Sequence, residues 1–262
     1  MTNHPDDTPY GRPALVAVAH GSRDPRAPHT VRGLLDRVRA LRPGLPVHLG
    51  HLELNAPLLP DTLAGLHARG IRSAVLVPLL LGRGHHVKRD IPGLAATARL
   101  PTRVAAPLGP HPLLVDTLYD RLVEAGWRPP TTPSGRRESA VVLAAAGSRD
   151  PDSRLDTGRT AALLTARLGV PVLPAYASAA SPTVGEAIAA LKARGRTKVA
   201  LASYFTAPGR FATECAAAAP WTAASASPLG AHEKLAHLVL HRYAEALRAT
   251  RAPAPHPAPA PA

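Results

Sequence analysis

The sequence is poor in cysteine and in aromatic residues, and its apolar runs are short. Cys215 is the single cysteine among 262 residues, so an internal disulfide is excluded. No basic stretch near the N-terminus joins an apolar run, as a secretion signal would require. The longest apolar stretches, such as AVLVPLLL at 74–81, are far shorter than the ~20 residues of a membrane span. We therefore expect a cytoplasmic protein with no membrane partner.

The charge is strongly positive, at a formal +13, and most of the basic residues are arginines. A polyanionic partner such as nucleic acid would be one explanation. However, aromatic residues make up only 3% of the chain, which leaves no stacking platform for bases, and there is no basic run of five or more residues. We interpret the charge as a compositional bias toward Arg, Ala and Pro and expect no nucleic-acid partner. A small acidic substrate would also be attracted to such a surface.

Short apolar runs alternate with helical patterns along the chain. The runs at 14–19, 46–54, 74–81 and 102–108 are typical of strands, and the first and third are apolar on both faces. Apolar residues between these runs recur at helical spacing. This βαβα order predicts an α/β fold in which helices cover both faces of a parallel sheet. In such a sheet, a ligand site is expected beyond the carboxyl ends of the strands.

The same pattern restarts after a proline-rich, polar segment, with strand-like runs at 140–146, 170–178 and 198–205. We therefore predict two tandem domains, each built on a parallel sheet. The predicted division is an N-terminal extension at 1–13, a first domain at 14–127, a linker at 128–138, a second domain at 139–249 and a disordered Ala/Pro tail at 250–262.

The two halves are copies of one another, because GSRDP at 21–25 recurs at 147–151. In both copies an aspartate stands before a proline, which is typical of a helix N-cap, and a glycine permits a tight exit from the preceding strand. We interpret the pentapeptide as a strand-to-helix turn rather than as a site for a nucleophilic Ser22. His20, which precedes the first copy, is replaced by Ala146 in the second. Polar features kept in only one half are therefore candidates for chemistry.

Three polar features of this kind lie at predicted strand ends of the first half. His20 follows the first strand, Glu53 follows the second, and His85 and His86 lie in a glycine-containing loop after the third. The sequence leaves open which of the two adjacent histidines faces the site. Two imidazoles and a carboxylate suit divalent iron, cobalt, nickel or zinc, and neutral imidazole also accepts protons near neutral pH.

The motifs HGSRDPRA at 20–27, HLELNAP at 51–57 and VPLLLGRGHHVKRDIP at 77–92 together resemble the sirohydrochlorin chelatases. These enzymes insert a divalent metal into the precursor of siroheme and cobalamin. The resemblance covers residues 14 to about 126 well and continues from 139 to about 248 as a degenerate second copy. It implies two class II chelatase-like α/β domains that face each other across a cleft, with the active site on the first.

The resemblance implies that His20 and His86 hold the metal and accept the pyrrole protons, with His85 as the alternative ligand if the loop register differs by one. It also implies a catalytic role for Glu53. It implies no permanent cofactor, because Fe2+ or Co2+ is a substrate. The carboxylate groups of sirohydrochlorin would favour a basic cleft. Candidate residues for binding the tetrapyrrole are Arg23, Arg83, Lys88 and His85, although each arginine could equally be a solvated surface side chain.

Several alternatives stay open at this point. A non-catalytic carrier of metal or tetrapyrrole would need the same histidines. The sequence does not separate iron from cobalt or siroheme from cobalamin synthesis, and it is silent on oligomeric state. A monomer would suffice if the two halves form the cleft, with Ala146, Ser178 and Phe211 on the wall that the second half contributes.

Overall fold

A computed structural model of the protein describes residues 12–249. The predicted tail at 250–262, and the predicted N-terminal extension up to residue 11, lie outside the described residues. The chain forms two four-stranded sheets, and all strand pairs within them are parallel. The first sheet has the order β2-β1-β3-β4 and the second has the corresponding order β6-β5-β7-β8. The predicted α/β fold with two tandem parallel sheets is confirmed.

The strands are short, as is usual for buried parallel sheets. They are β1 (Ala14–Ala19), β2 (Val47–His51), β3 (Ala74–Pro78), β4 (Thr102–Val104), β5 (Ser139–Ala145), β6 (Val172–Tyr176), β7 (Lys198–Tyr204) and β8 (Ala224–Ser225).

Helices connect successive strands, and a π-helical turn at His86–Asp90 immediately precedes the third of them. The α-helices are α1 (Arg26–Leu41), α2 (Leu59–Ala68), α3 (Ile91–Thr97), α4 (Pro112–Glu124), α5 (Pro133–Glu138), α6 (Pro151–Leu168), α7 (Val184–Ala193), α8 (Arg210–Ala217) and α9 (Glu233–Arg248).

The segment at 128–138, predicted as a linker because it is proline-rich and polar, contains helix α5. Thr132 caps this helix, because its hydroxyl accepts a hydrogen bond from the Gly135 N–H at 3.1 Å. The helix has no buried residue, which explains why no apolar period predicts it. A short capped turn can form without an apolar face.

The apolar run at 74–81 also differs from its prediction, because the strand within it ends at Pro78. Of the three leucines that follow, Leu79 and Leu81 lie at the contact with the second half of the chain, whereas Leu80 packs against the outer apolar cluster of the first half. The Leu79 carbonyl accepts a hydrogen bond from Thr206 Oγ1 at 2.9 Å, and the Leu81 carbonyl accepts one from the Tyr204 hydroxyl at 2.9 Å. The run therefore extends past the strand because its last residues are covered on both sides, by the second half and by the outer helices of the first.

Alternate residues of each central strand point to opposite faces of its sheet. On β1, Ala14, Val16 and Val18 pack outward against α2 and α3. Leu15 and Ala17 pack inward, in a single apolar cluster that also contains residues of β5 and of the inner helices from both halves. The outer face of the second sheet packs separately against α7 and α8.

The two halves exchange their last helices. Helix α9, from the C-terminal half (139–249), packs against α1 and β3 of the N-terminal half (14–127). Conversely, α4 of the N-terminal half packs against α6 and β7 of the C-terminal half. Side-chain hydrogen bonds reinforce the exchange, since the Tyr243 hydroxyl donates to the Pro13 carbonyl at 2.6 Å. The two sheets are therefore joined through one central helical layer.

Within residues 12–249, none of the helices combines the length and the apolar character that crossing a bilayer requires.

Candidate active site between the two halves

A cavity of about 1010 Å³ lies where the carboxyl ends of the strands of both sheets face each other. The N-terminal half lines it with the segments that follow β1, β2 and β3, and the C-terminal half with those that follow β5 and β7. Strands β1 and β3 are neighbours whose onward connections lead to opposite sides of the sheet. Ligands bind at such a switch point in open α/β sheets. The volume lies at the upper end of the ~300–1000 Å³ that is usual for ligand pockets.

The repeated turn has the same geometry in both halves. Gly21 has φ +106°, and a Cβ built there would lie 1.9 Å from the Glu53 carbonyl oxygen. Gly147 has φ +89°, and its Cβ would lie 1.8 Å from the Ser178 carbonyl oxygen. Glycine is required at both positions because the backbone after the second strand passes directly over the turn.

The other residues that the two copies of the turn share accept hydrogen bonds from backbone N–H groups. The Ser22 hydroxyl accepts from the Asp24 N–H at 3.1 Å, and the Ser148 hydroxyl accepts from the Asp150 N–H at the same distance. Asp150 caps α6 through the Asp152 N–H, as predicted. Asp24 accepts from the Arg26 N–H, and the Arg26 guanidinium holds the pKa of Asp24 at about 2. The turn therefore has a structural role in both copies.

His20 and His86 lie side by side in the cavity. His20 follows β1 directly and His86 begins the π-helical turn, and their ring centroids are 4.7 Å apart with the rings nearly perpendicular. Each imidazole faces a carboxylate through Nδ1. His20 Nδ1 lies 3.4 Å from Glu53 Oε1, and His86 Nδ1 lies 2.6 Å from Asp90 Oδ2. The ring nitrogen that remains for a metal ion or a proton is Nε2 in both cases.

The π-helical turn explains how His86 meets Asp90. The Ile91 N–H donates to the His86 carbonyl, five residues back, so the turn is wider than an α-helical one. His86 and Asp90 lie four residues apart and therefore on one face of the turn. Asp90 was not predicted as a site residue from the sequence. The spacing of His86 and Asp90 was the signal that could have revealed it.

His85 lies apart from this pair. Its side chain is 73% exposed, and its Nε2 lies 3.5 Å from the second Asp90 oxygen. Its ring centroid is 6.4 Å from that of His86. Of the two adjacent histidines, the geometry favours His86 as the partner of His20. Arg23 is exposed and lines the cavity mouth beside His20.

Arg83 and Lys88, which the sequence suggested as substrate-binding residues, are instead paired with carboxylates of the C-terminal half. The Arg83 guanidinium donates to both oxygens of Asp156, at 2.7 and 2.9 Å. Lys88 Nζ lies 2.8 Å from Asp150 and 2.7 Å from Asp152. The two cations therefore join the halves, and their charges are neutralised within the protein.

His51, the other polar residue of β2 in this region, is 3% exposed. Burial lowers the pKa of His51, although a hydrogen bond of Nδ1 to the Pro57 carbonyl at 3.2 Å opposes this effect. Its ring thus stabilises the loop after β2. Among residues 12–249, no three His, Cys, Asp or Glu side chains form a group that could hold a metal ion.

The C-terminal half contributes aromatic side chains to the cavity where the N-terminal half contributes histidines. The chain has only two phenylalanines, Phe205 and Phe211, and both line this cavity. The Arg210 guanidinium lies over the Phe211 ring, 4.6 Å from its centroid. Ala146, at the position equivalent to His20, also lines the cavity. The histidines therefore lie on one wall of the cavity and the phenylalanines on the opposite wall.

The comparisons with known proteins agree with this division into halves. The family model described as CbiX matches the chain twice, at residues 14–125 and 140–246. Among curated proteins, a sirohydrochlorin ferrochelatase of Priestia megaterium is 26% identical over 242 residues, covering 87% of this chain and 88% of that one. A sirohydrochlorin cobaltochelatase of Methanosarcina acetivorans is 28% identical over 123 residues, covering 42% of this chain and 95% of that protein.

A solved structure has the same architecture along nearly the whole chain. The structure of SirB from Bacillus subtilis with Fe3+ aligns with a TM-score of 0.74, covering 92% of this chain and 98% of that one at 24% identity. At this identity the agreement concerns the fold, which in both proteins comprises two sheets with flanking helices.

Proposed function

The chain belongs to the CbiX family, and on that premise we propose that it inserts a divalent metal ion, Fe2+ or Co2+, into sirohydrochlorin. The observation that supports this most directly is the pair of imidazoles from His20 and His86, 4.7 Å apart in a cavity large enough for a small-molecule ligand. Because the metal is consumed as a substrate, no resident cofactor is required.

Metal insertion exchanges two pyrrole N–H bonds for metal–nitrogen bonds and releases two protons. In the proposed mechanism, His20 and His86 first bind the ion through their Nε2 atoms, which suits borderline divalent metals. As the tetrapyrrole nitrogens replace them, each Nε2 atom is again free to accept a proton. Two imidazoles can therefore hold the metal and then remove the two protons.

Glu53 and Asp90 have a supporting role in this proposal. A carboxylate that accepts a hydrogen bond from Nδ1 fixes the neutral tautomer, with its proton on Nδ1, and orients the ring. The Asp90 carboxylate is hydrogen-bonded to His86 Nδ1 at 2.6 Å. His20 Nδ1 is hydrogen-bonded to the Gly21 carbonyl at 3.3 Å, and Glu53 Oε1 lies 3.4 Å from the same nitrogen as an ion-pair partner for the protonated ring. The negative charge of each carboxylate also stabilises the imidazolium that forms when Nε2 accepts a proton.

The opposite wall is proposed to bind the macrocycle. Phe211 presents an aromatic ring to the cavity, and aromatic faces stack favourably on flat conjugated ligands. Arg23 and His85, which are both exposed and line the cavity, are proposed to contact substrate carboxylates. For Arg83 and Lys88 the same role stays a prediction, and both already pair with carboxylates of the C-terminal half.

The test is a metal-insertion assay that follows the absorbance of sirohydrochlorin with excess Fe2+ or Co2+ and a trace amount of protein. We expect many turnovers per protein molecule with at least one metal, and a loss of about 100-fold or more for His20→Ala, as is typical when a general base is removed. Thermal unfolding of the variant serves as the control for folding.

A carrier of metal or tetrapyrrole would behave differently in the same assay. It would bind sirohydrochlorin or the ion stoichiometrically, without increasing the rate of insertion above that of free metal. That result would contradict the proposed chelatase activity. Running iron and cobalt side by side identifies the preferred metal, which the two imidazoles alone do not select.

A further inference from the structure

The loop that carries His86 is attached to the C-terminal half on both sides of the histidine. Three residues before it, Arg83 donates from Nε and Nη2 to the two oxygens of Asp156, and its backbone N–H donates to the same carboxylate at 2.9 Å. Two residues after it, Lys88 contacts Asp150 and Asp152. We call these five residues the inter-half clamp.

The strongest contact of the clamp involves a buried carboxylate, that of Asp156. The Asp156 side chain is 1% exposed and receives a two-pronged contact from a planar guanidinium, the geometry in which arginine binds carboxylates most strongly. The Lys88 contacts are nearer to solvent and less costly to change. The clamp thus contains one ion pair with a buried carboxylate and one set of ion pairs whose members are all partly exposed.

Comparison of the two copies shows that the N-terminal half has no equivalent set of acidic residues that clamps the C-terminal half. At the positions equivalent to Arg83 and Lys88, the C-terminal half has Pro208 and Thr213, which lack a charge. In the N-terminal half, the residue equivalent to Asp150 is Asp24, whose carboxylate contacts Arg26 within its own turn. The acidic partners therefore come from the half without the histidines, and the basic partners from the half that has them.

The loop also needs an external restraint. Gly82 and Gly84 precede His86, and glycine permits many backbone conformations. Both glycines lie against the C-terminal half: a Cβ at Gly82 would be 3.3 Å from Asp156 Cβ, and one at Gly84 would be 3.7 Å from Ser148 Oγ. A flexible segment becomes a precise ligand holder when packing and hydrogen bonds fix it on both sides.

We propose that Asp150, Asp152 and Asp156 are positioning residues for His86, so that the half without the histidines sets the metal-binding geometry of the other half. This inference rests on the proposed function, in which His86 binds the metal ion. Loss of the clamp is expected to weaken metal binding, because a metal site loses affinity when the shell that orients its ligands is removed.

The experiment uses Co2+ alone as the probe and the full chain throughout. Lys88→Met removes the accessible contacts, and Asp156→Asn removes the charge from the buried pair. Asp116→Asn is the matched control, because Asp116 and Arg167 form another ion pair between the halves, at 3.2 Å, on helices α4 and α6 outside the loop. Lys88→Arg tests rescue by a residue that keeps the charge.

We expect Lys88→Met and Asp156→Asn to weaken Co2+ binding about tenfold or more, whereas Asp116→Asn binds as the wild type does and Lys88→Arg recovers most of the affinity. Amide hydrogen exchange should become faster at 82–90 in the first two variants only. If Asp156→Asn does not fold, Lys88→Met decides the question. Unchanged Co2+ affinity together with unchanged exchange at 82–90 would overturn the proposal.

Failure of the proposed function gives a different pattern of results. If His86→Ala binds Co2+ as tightly as the wild type, the assignment of His86 as a ligand is wrong. Faster exchange at 82–90 in Lys88→Met would then still demonstrate that the clamp restrains the loop. If His86→Ala loses affinity but both clamp variants retain it, the metal site stands and the positioning role of the clamp is refuted.

Discussion

His85 and His86 are adjacent in sequence, but they occupy different surroundings. His86 faces His20 and bonds to Asp90, whereas His85 is largely exposed. We expect His86→Ala to lower the rate of metal insertion by about 100-fold or more and His85→Ala to change it only a few-fold, because only the first removes a base from the pair.

Both substitutions remove an imidazole that is at least partly exposed, so neither should unfold the protein. Thermal unfolding of the two variants, measured beside the insertion rate, checks this expectation. An equal loss of activity in His85→Ala would contradict the assignment and would place the ligand one residue earlier in the loop.

At the scale of single residues, the sequence predicted positions better than partners. His20, Glu53 and His86 could be placed at strand ends because parallel strands direct their carboxyl ends to one edge. The pairing of Arg83 with Asp156 could not be predicted, because 73 residues separate them and only the docking of the two sheets brings them together. The motif alone therefore predicted a substrate contact for Arg83 and did not indicate its partner Asp156.

At the scale of the element, the turn at 21–25 and its copy at 147–151 offer a matched pair of substitutions. Both glycines have a positive φ and lie under a carbonyl group. We expect Gly21→Ala and Gly147→Ala each to destabilise the protein by about 2 kcal/mol or more, because an added methyl group must displace backbone. Unfolding in denaturant measures this change.

The two variants should differ in activity. The Glu53 N–H donates to the His20 carbonyl at 3.0 Å, so displacing the backbone over Gly21 moves both residues of the site. Gly147→Ala displaces the backbone at Ser178, which lies outside the lining of the cavity, and should retain a larger share of the insertion activity at a temperature where both variants are folded. Equal residual activities would indicate that the turn does not position His20 and Glu53.

The burial of each strand and helix explains whether it could be predicted from the sequence. Runs that are apolar on both faces predicted the central strands, because burial on two sides leaves no alternation. The ends of elements are predicted less well than their centres. The leucines after Pro78 extended the predicted third strand, although Leu79 and Leu81 pack against the other half, and α5 has no buried face to produce a period.

At the scale of the whole molecule, the carboxylates that join the halves make the free energy of unfolding depend on pH. Burial alone would raise the pKa of Asp156, but the hydrogen bonds from Arg83 outweigh it and hold the pKa below the ordinary 3.8. Because the folded-state pKa is the lower one, the stabilisation is fully present above pH 3.8 and is lost as the pH falls through the folded-state value.

We therefore expect the free energy of unfolding to decrease as the pH is lowered from about 4 toward 2, and to decrease less steeply in Asp156→Asn. The contribution of Lys88 acts in the same direction, since its hydrogen bond lowers the pKa of Asp150. Denaturant titrations at several pH values compare the two slopes. Identical slopes would show that the Arg83–Asp156 pair does not link protonation to folding.

The exchange of helices was not accessible from the sequence, because an apolar stripe indicates that a helix is covered but not which sheet covers it. Because of this exchange, neither half has a complete set of covering helices of its own. Without α9, the N-terminal half exposes the faces of α1 and β3 that α9 covers, and its own α4 loses β7 as a partner.

We expect residues 12–127, expressed alone, not to form a folded monomer, although the sequence pattern suggests a self-contained domain. Adding a second chain of residues 139–249 should restore folding and metal insertion together, because it supplies both α9 and the acidic residues that hold the His86 loop. Circular dichroism and size-exclusion chromatography of each fragment and of the mixture provide the measurement. A folded, monomeric N-terminal fragment with full activity would mean that neither the exchanged helix nor the clamp is needed for the site, and the C-terminal half would then be reduced to a wall of the cavity.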